Sequence, residues 1–165
     1  MRTYIGIDNG LDGGLVALNE DGDIIGQSIM PTTKLDKGRE VDADGILRFV
    51  TGFDGARVMI ESASKHSPGK LALCSTWYSF GITKATVMLA LLPCEIITPQ
   101  KWQRTFWKRP SLPKGEKFDT KAAALNAADQ IWPDHDWRKS KRATKAHDGL
   151  VDAALIAQYH RLNHG

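Results

Sequence analysis

Asp8, Glu61, Asp148 and Asp152 are the residues whose types and spacing point most directly to chemistry. Asp8 ends the apolar run Tyr4-Ile5-Gly6-Ile7, and Glu61 ends Val58-Met59-Ile60. Asp148 and Asp152 stand four apart at the start of an apolar stretch that runs on through Ala153-Ala154-Leu155-Ile156-Ala157. On a helix, that spacing puts both carboxylates on one face. Complementing the dipole of a helix N-terminus accounts for Asp148 but poorly for Asp152, whereas metal binding accounts for both. Carboxylates at the mouths of buried elements are costly unless a cation meets them. Hard oxygen donors suit Mg2+ or Mn2+.

The elements that must carry these acids can be read from the pattern around them. Residues 3–8 read as a buried strand, Gly10–Gly14 as a glycine-rich turn and Leu15–Leu18 as a second strand. Asn19-Glu20-Asp21-Gly22 reads as a hairpin turn, Asp-Gly being a favoured pair, and Ile24–Met30 as a third strand. The short connections predict an antiparallel meander. Residues 31–41 read as a polar loop. Asp42 or Asp44 is expected to cap a helix reaching about Phe53. Arg57–Glu61 is a fourth strand. A helical stretch follows from Leu71 to Leu92, broken near Gly81 and stopped by Pro93. Glu95-Ile96-Ile97 is a short fifth strand, and Thr98-Pro99 opens a helical turn with Trp102 and Phe106. Residues 107–118 and 134–146 read as basic loops around an alanine-rich helix, Lys121–Ile131, capped by Asp119 or Thr120. The last helix is expected from about His147 to Leu162. Three strands in a meander followed by alternating helices and strands describe a mixed α/β fold, and 165 residues fit a single domain spanning 1–165.

A hydrophobic fraction of 42% with 25% charged residues excludes a disordered chain. No apolar run is long enough for a membrane span, and Met1-Arg2-Thr3 leads straight into a strand-like run, so no signal peptide is expected. Cys74 and Cys94 lack metal-ligand spacing and are expected to be reduced, buried thiols of an intracellular protein. Charge is distributed unevenly. Residues 1–100 hold nine Lys/Arg against twelve Asp/Glu, whereas residues 101–145 hold twelve against five. The cationic excess therefore sits just ahead of the paired acids, as a polyanion would require, although a solvated loop would show the same balance.

The order of motifs resembles the ribonuclease H-like nucleases, and within them the RuvC-type Holliday-junction resolvases. Ile5-Gly6-Ile7-Asp8-Asn9-Gly10 looks like the opening motif of that family and Ile60-Glu61-Ser62 like its fourth-strand motif. Ile97-Thr98-Pro99-Gln100-Lys101-Trp102 and His147-Asp148-Gly149-Leu150-Val151-Asp152 look closest to the phage and chloroplast branch. The bacterial pattern places a ligand three residues before the last Asp, where this chain has Gly149. The four-residue spacing of Asp148 and Asp152 is that of the chloroplast-like branch.

The resemblance implies a five-stranded mixed sheet flanked by helices. It also implies a metal-dependent endodeoxyribonuclease that cuts four-way junctions by paired, symmetric nicks. Asp8, Glu61, Asp148 and Asp152 would be catalytic metal ligands holding two Mg2+ (or Mn2+) ions. His147 is open between a metal ligand, a proton relay and a capping or supporting role. Lys65, Lys70, Lys108, Arg109, Lys114, Lys117, Arg138, Lys139, Lys141, Arg142 and Lys145 are DNA-binding candidates, with His66 beside the first of them. Trp102 is expected in the core, and Trp107 is the likelier base-stacking residue. The aromatic wedge that bacterial members carry after the strand-end Glu is missing from Ser62-Ala63-Ser64-Lys65-His66; Trp77, Tyr78 and Phe80 could substitute for it or be core or dimer contacts. Asp12 reads as a turn residue.

Two active sites on a two-fold junction imply a homodimer, with Leu71–Leu92 the candidate interface. The partner is branched DNA, and the setting is a cytoplasm or nucleoid, including that of a phage-infected cell. Three other readings compete: a nuclease of the same fold acting on flaps, forks or RNA–DNA hybrids; a non-catalytic junction binder; and a small ATP-binding domain suggested by Asp8–Gly14. The last lacks room for a second phosphate-binding half.

Overall fold

The computed structural model describes residues 1–64, 69–113 and 115–164. Its centre is a five-stranded sheet in the order β3-β2-β1-β6-β7. Strands β1 (Thr3–Asp8), β2 (Gly14–Leu18) and β3 (Ile24–Ile29) form the expected antiparallel meander, with Gly22 at φ 94° in the second turn. An L side chain rarely adopts that φ, which is why glycine stands there. Strand β6 (Ala56–Glu61) runs parallel to β1, and β7 (Cys94–Ile97) runs parallel to β6 on the sheet edge. No helix among the described residues is long and apolar enough to cross a membrane.

Strand periodicity sorts the side chains. Ile5 and Ile7 of β1 and Val58 and Ile60 of β6 pack with Ile46 and Val50 of α1 (Ala43–Thr51) and Val87 of α2 (Lys70–Leu89). Met59 and Ile97 join the other layer, with Leu150, Val151 and Ala153–Ala157 of α5 (Asp148–His164). That layer also takes Trp102 of α3 (Pro99–Phe106) and Ala124 and Ala128 of α4 (Thr120–Ile131). Side chains alternate along a strand. Asp8 shares a face with Gly6, and Glu61 shares one with Met59, so both acids belong to the α5 side of the sheet.

Helix α5 is buried from Gly149 to His160 at every position but Asp152, as its apolar sequence predicts. It lies against the sheet closely enough that a Cβ on Gly6 would meet the Ala153 carbonyl oxygen at 2.1 Å and the Ala157 nitrogen at 2.4 Å. A Cβ on Gly149 would meet the Asp12 carbonyl oxygen at 2.5 Å and Gly13 Cα at 2.6 Å. These glycines set how near the first turn of α5 comes to the β1–β2 turn.

Three expectations need correction. Residues 31–41 contain a small hairpin, β4 (Thr32–Lys34) with β5 (Arg39–Val41), rather than a loop alone. The helix through Gly81 is unbroken. Gly costs a helix only about 1 kcal/mol relative to Ala, and buried residues on either side, among them Ser79 and Val87, hold the helix in place. Cys74 is exposed rather than buried, and Cys94 is half-buried; both are free thiols. The capping reading resolves to Asp42, whose side chain accepts from the Asp44 N–H, and to Asp119, which accepts from Lys121 and Ala122.

Candidate active site

Asp8 ends β1 and Glu61 ends β6, neighbouring parallel strands whose C-terminal ends therefore lie together. The first turn and a half of α5 brings Asp148 and Asp152 to the same place. Electrostatic coupling ties the four together. Burial raises the Asp8 carboxyl well above its usual range, and Glu61, Asp152 and Asp148 add to the effect. Burial likewise pushes Asp152 up to about 7, reinforced by Glu61 and Asp148. Glu61 is raised by burial but held back by two hydrogen-bonding partners, Trp102 and Asp8. The structure thus brings together all four acids that the sequence singles out.

Two neighbours of the acids were not among the sequence candidates. Trp102 is fully buried, as expected, yet its Nε1 donates to Glu61 Oε1 at 2.7 Å, so a core residue also orients a site carboxylate. Lys121, at the start of α4, pairs through Nζ with Asp148 Oδ2, and its charge also acts on Asp152. The sequence signal for Lys121 is faint: a lysine two residues after the capping Asp119, opposing the helix dipole.

His147 stands just ahead of α5, where its carbonyl oxygen accepts from the N–H groups of Leu150 and Val151. That is a capping role through the backbone. Its ring is half-buried with Nδ1 unpartnered, and burial and Lys139 lower its pKa. Asp12 sits in the turn as expected and pairs with Arg39.

The basic candidates divide by position. A groove of about 420 Å³ is lined by Lys121, Lys145, Asp148 and Asp152, among others. A second, of about 450 Å³, is lined by Asp12, Lys139, Arg142, Lys145, His147 and Asp148. Thr144, Lys145, Ala146 and Asp148 are common to both, so basic side chains border the acids directly. Lys108 and Arg109 line a separate hollow of about 530 Å³ with Arg104 and Trp107. Trp107 packs edge-on against Trp102 at 5.6 Å and is partly buried against the core, with its Nε1 unpartnered. Arg138 is held in a two-pronged pair with Asp136, which leaves it less free for phosphate. Lys70, Lys117 and Lys141 are exposed. Lys65, His66 and Lys114 lie outside the described residues. Trp77 and Tyr78 are largely exposed on α2, and Phe80 packs partly into the core.

The donor set fits hard divalent cations. Among the described residues Lys121 is the ammonium paired with one of the four carboxylates, at Asp148. Burial and then mutual repulsion raise Asp8 and Asp152, and a divalent cation would relieve both. No three of the four bring an oxygen each within 4.8 Å of one another. They are neighbours that an ion would draw inward.

No protein-family model matches the chain, and no curated protein matches it. Solved structures do. Thermus thermophilus RuvC in complex with a Holliday junction substrate aligns with a TM-score of 0.62 at 13% identity, over 97% of this chain and 92% of that one. A second Thermus thermophilus RuvC structure aligns with a TM-score of 0.58 at 16% identity, over 98% and 96%. The chain therefore has a RuvC-like, ribonuclease H-like fold.

Proposed function

We propose that this chain is a metal-dependent endodeoxyribonuclease that resolves four-way DNA junctions, as a single nuclease domain spanning 1–165. The observation that carries the reading is the convergence of Asp8, Glu61, Asp148 and Asp152 from three separate segments beside grooves lined with Lys139, Arg142 and Lys145. The RuvC-like fold supports it, since one of its structural neighbours is bound to a Holliday junction substrate. The four-residue spacing of Asp148 and Asp152 favours the phage and chloroplast branch.

In this reading Asp8, Glu61, Asp148 and Asp152 would together hold two Mg2+ (or Mn2+) ions. When bound, the ions supply an activated water and charge stabilisation for the departing 3′ oxygen. The rest falls to the chain. Trp102 fixes the direction of the Glu61 carboxylate through its 2.7 Å hydrogen bond. Lys121 neutralises part of the charge at Asp148 and, when displaced from it, offers an ammonium to a phosphate oxygen. Lys139, Arg142 and Lys145 hold the DNA backbone, whose contacts position without reading sequence. His147 caps α5 through its carbonyl oxygen, and its ring, with a buried, unpartnered Nδ1, is left as a candidate proton relay.

Paired cuts on a two-fold substrate call for two copies of the site. The exposed apolar residues of α2, Leu71 and Leu89 at 87% and 83% exposure, are the proposed dimer face. The setting is intracellular DNA.

The test is a Mg2+-dependent cleavage assay on a synthetic four-way junction, mapping nicks on opposing strands, with flap, fork and RNA–DNA hybrid substrates alongside. Symmetric nicks confined to the junction are expected. Asp8→Asn, Glu61→Gln and Asp152→Asn each abolish cutting but keep junction binding in Ca2+. Efficient cleavage of flaps or hybrids in place of the junction refutes the substrate, and full cutting by Asp152→Asn refutes the site.

A further inference from the structure

Glu95, His160 and His164 stand apart from the four acids. The two histidines are one turn apart near the end of α5, and Glu95 shares with Ile97 the face of edge strand β7 that α5 covers. One ligand atom from each residue lies within 4.8 Å of those from the other two. His164 Nε2 is 3.3 Å from one Glu95 oxygen, and His160 Nε2 is 3.8 Å from the other. A tetrahedral ion with bonds of about 2.0–2.1 Å needs donors roughly 3.4 Å apart. The two His–carboxylate gaps, 3.8 and 3.3 Å to the two Glu95 oxygens, bracket that value, and all three ligand atoms fall within 4.8 Å of one another.

His160 is held ready to ligate. Its side chain is 1% exposed, and its Nε2 aims at Glu95 from beyond hydrogen-bonding range, so this nitrogen faces the cluster without a short ion pair to close it. Tyr4 and His164 flank the ring edge-on, with centroids at 5.5 and 5.2 Å, and so fix its direction.

We propose that Glu95, His160 and His164 form a second metal site, distinct from the acidic centre, that takes a transition metal of the Zn2+ class and clamps the end of α5 to strand β7. Two imidazoles and one carboxylate select such ions over Mg2+ or Ca2+. Arg57, whose positive charge reaches His160, further handicaps an ion held by charge alone. Three protein donors leave a fourth position for water. His160 lies eight residues after Asp152, about 12 Å along the helix at 1.5 Å per residue, so the two centres do not share an ion. The clamp would fix α5, which carries Asp148 and Asp152, to the strand that leads into α3 and Trp102.

The test is calorimetric titration of metal-stripped, full-length protein with ZnCl2, followed by Co2+ and its visible d–d bands. The wild type is expected to bind one Zn2+ per chain more than His164→Ala does, with a larger rise in Tm. Asp152→Asn, which disables the acidic centre, retains that binding. His164→Ala and Glu95→Gln, both at solvent-accessible positions that folding tolerates, raise Kd at least tenfold and lose the nitrogen-ligated Co2+ spectrum. Millimolar Mg2+ does not compete. Zinc affinity unchanged in both His164→Ala and Glu95→Gln, or abolished by Asp152→Asn, overturns the proposal.

Discussion

Asp152 is held protonated up to about pH 7 by burial and by the charges of Glu61 and Asp148. In metal-free protein the native state therefore keeps a proton that the unfolded chain has released above its ordinary value of 3.8. The stability this proton confers is complete below that value and is lost as pH rises towards 7. Asp152→Asn removes the loss. In EDTA the variant is expected to gain about 2 kcal/mol over wild type between pH 5 and pH 8, read by chemical denaturation at both pH values. Saturating Ca2+ should erase the gain. Trp102→Phe tests the other carboxylate. The hydrogen bond from Trp102 holds the Glu61 pKa down, so its loss should move the acid limb of the pH–rate profile upward and slow cleavage about tenfold. An unmoved profile would mean that Trp102 only packs. The four acids were legible because each ends an apolar run or shares a helix face. Lys121 and Trp102 were not, because their partners lie 27 and 41 residues away and only the tertiary fold brings them together.

Helix α5 matters at the next scale because its position sets the site. Gly6, Gly14 and Gly149 permit near backbone-to-backbone contact between α5 and the β1–β2 segment. Gly149→Ala would push a methyl group against the Asp12 carbonyl oxygen and Gly13, where backbone rather than a flexible side chain must yield. A cost of about 1–3 kcal/mol is expected, measured as the midpoint shift in urea, with a loss of cleavage at temperatures where the variant is still fully folded. Activity that merely tracks the folded fraction would show that the site tolerates the displacement. This close packing explains why glycine stands where the bacterial pattern has a ligand. Continuous apolar runs such as those of β1 and α5 were readable from sequence. The β4–β5 hairpin was not, because three-residue polar strands carry no alternating pattern. Gly81 misled because local propensity is weak beside tertiary packing.

Across the whole molecule, cationic side chains gather on one side of an anionic centre. Lys139, Arg142 and Lys145 line the grooves beside Asp148, so replacing all three with Gln should weaken junction binding. The slope of log Kd against log salt should also flatten by roughly 2–3, near one per lost phosphate contact. An unchanged slope would move the DNA path elsewhere, with the hollow at Lys108 and Arg109 as the next place to look. The order of synthesis adds a different consequence of the α5 packing. Strand β1 leaves the ribosome early, whereas the helix that covers Val16, Leu18 and Met59 is encoded about 140 residues later. At roughly 5–20 residues per second, this apolar face stays bare for about 10–30 s. A nascent chain in that interval exposes apolar surface, and Asp148 and Asp152 have still to be translated.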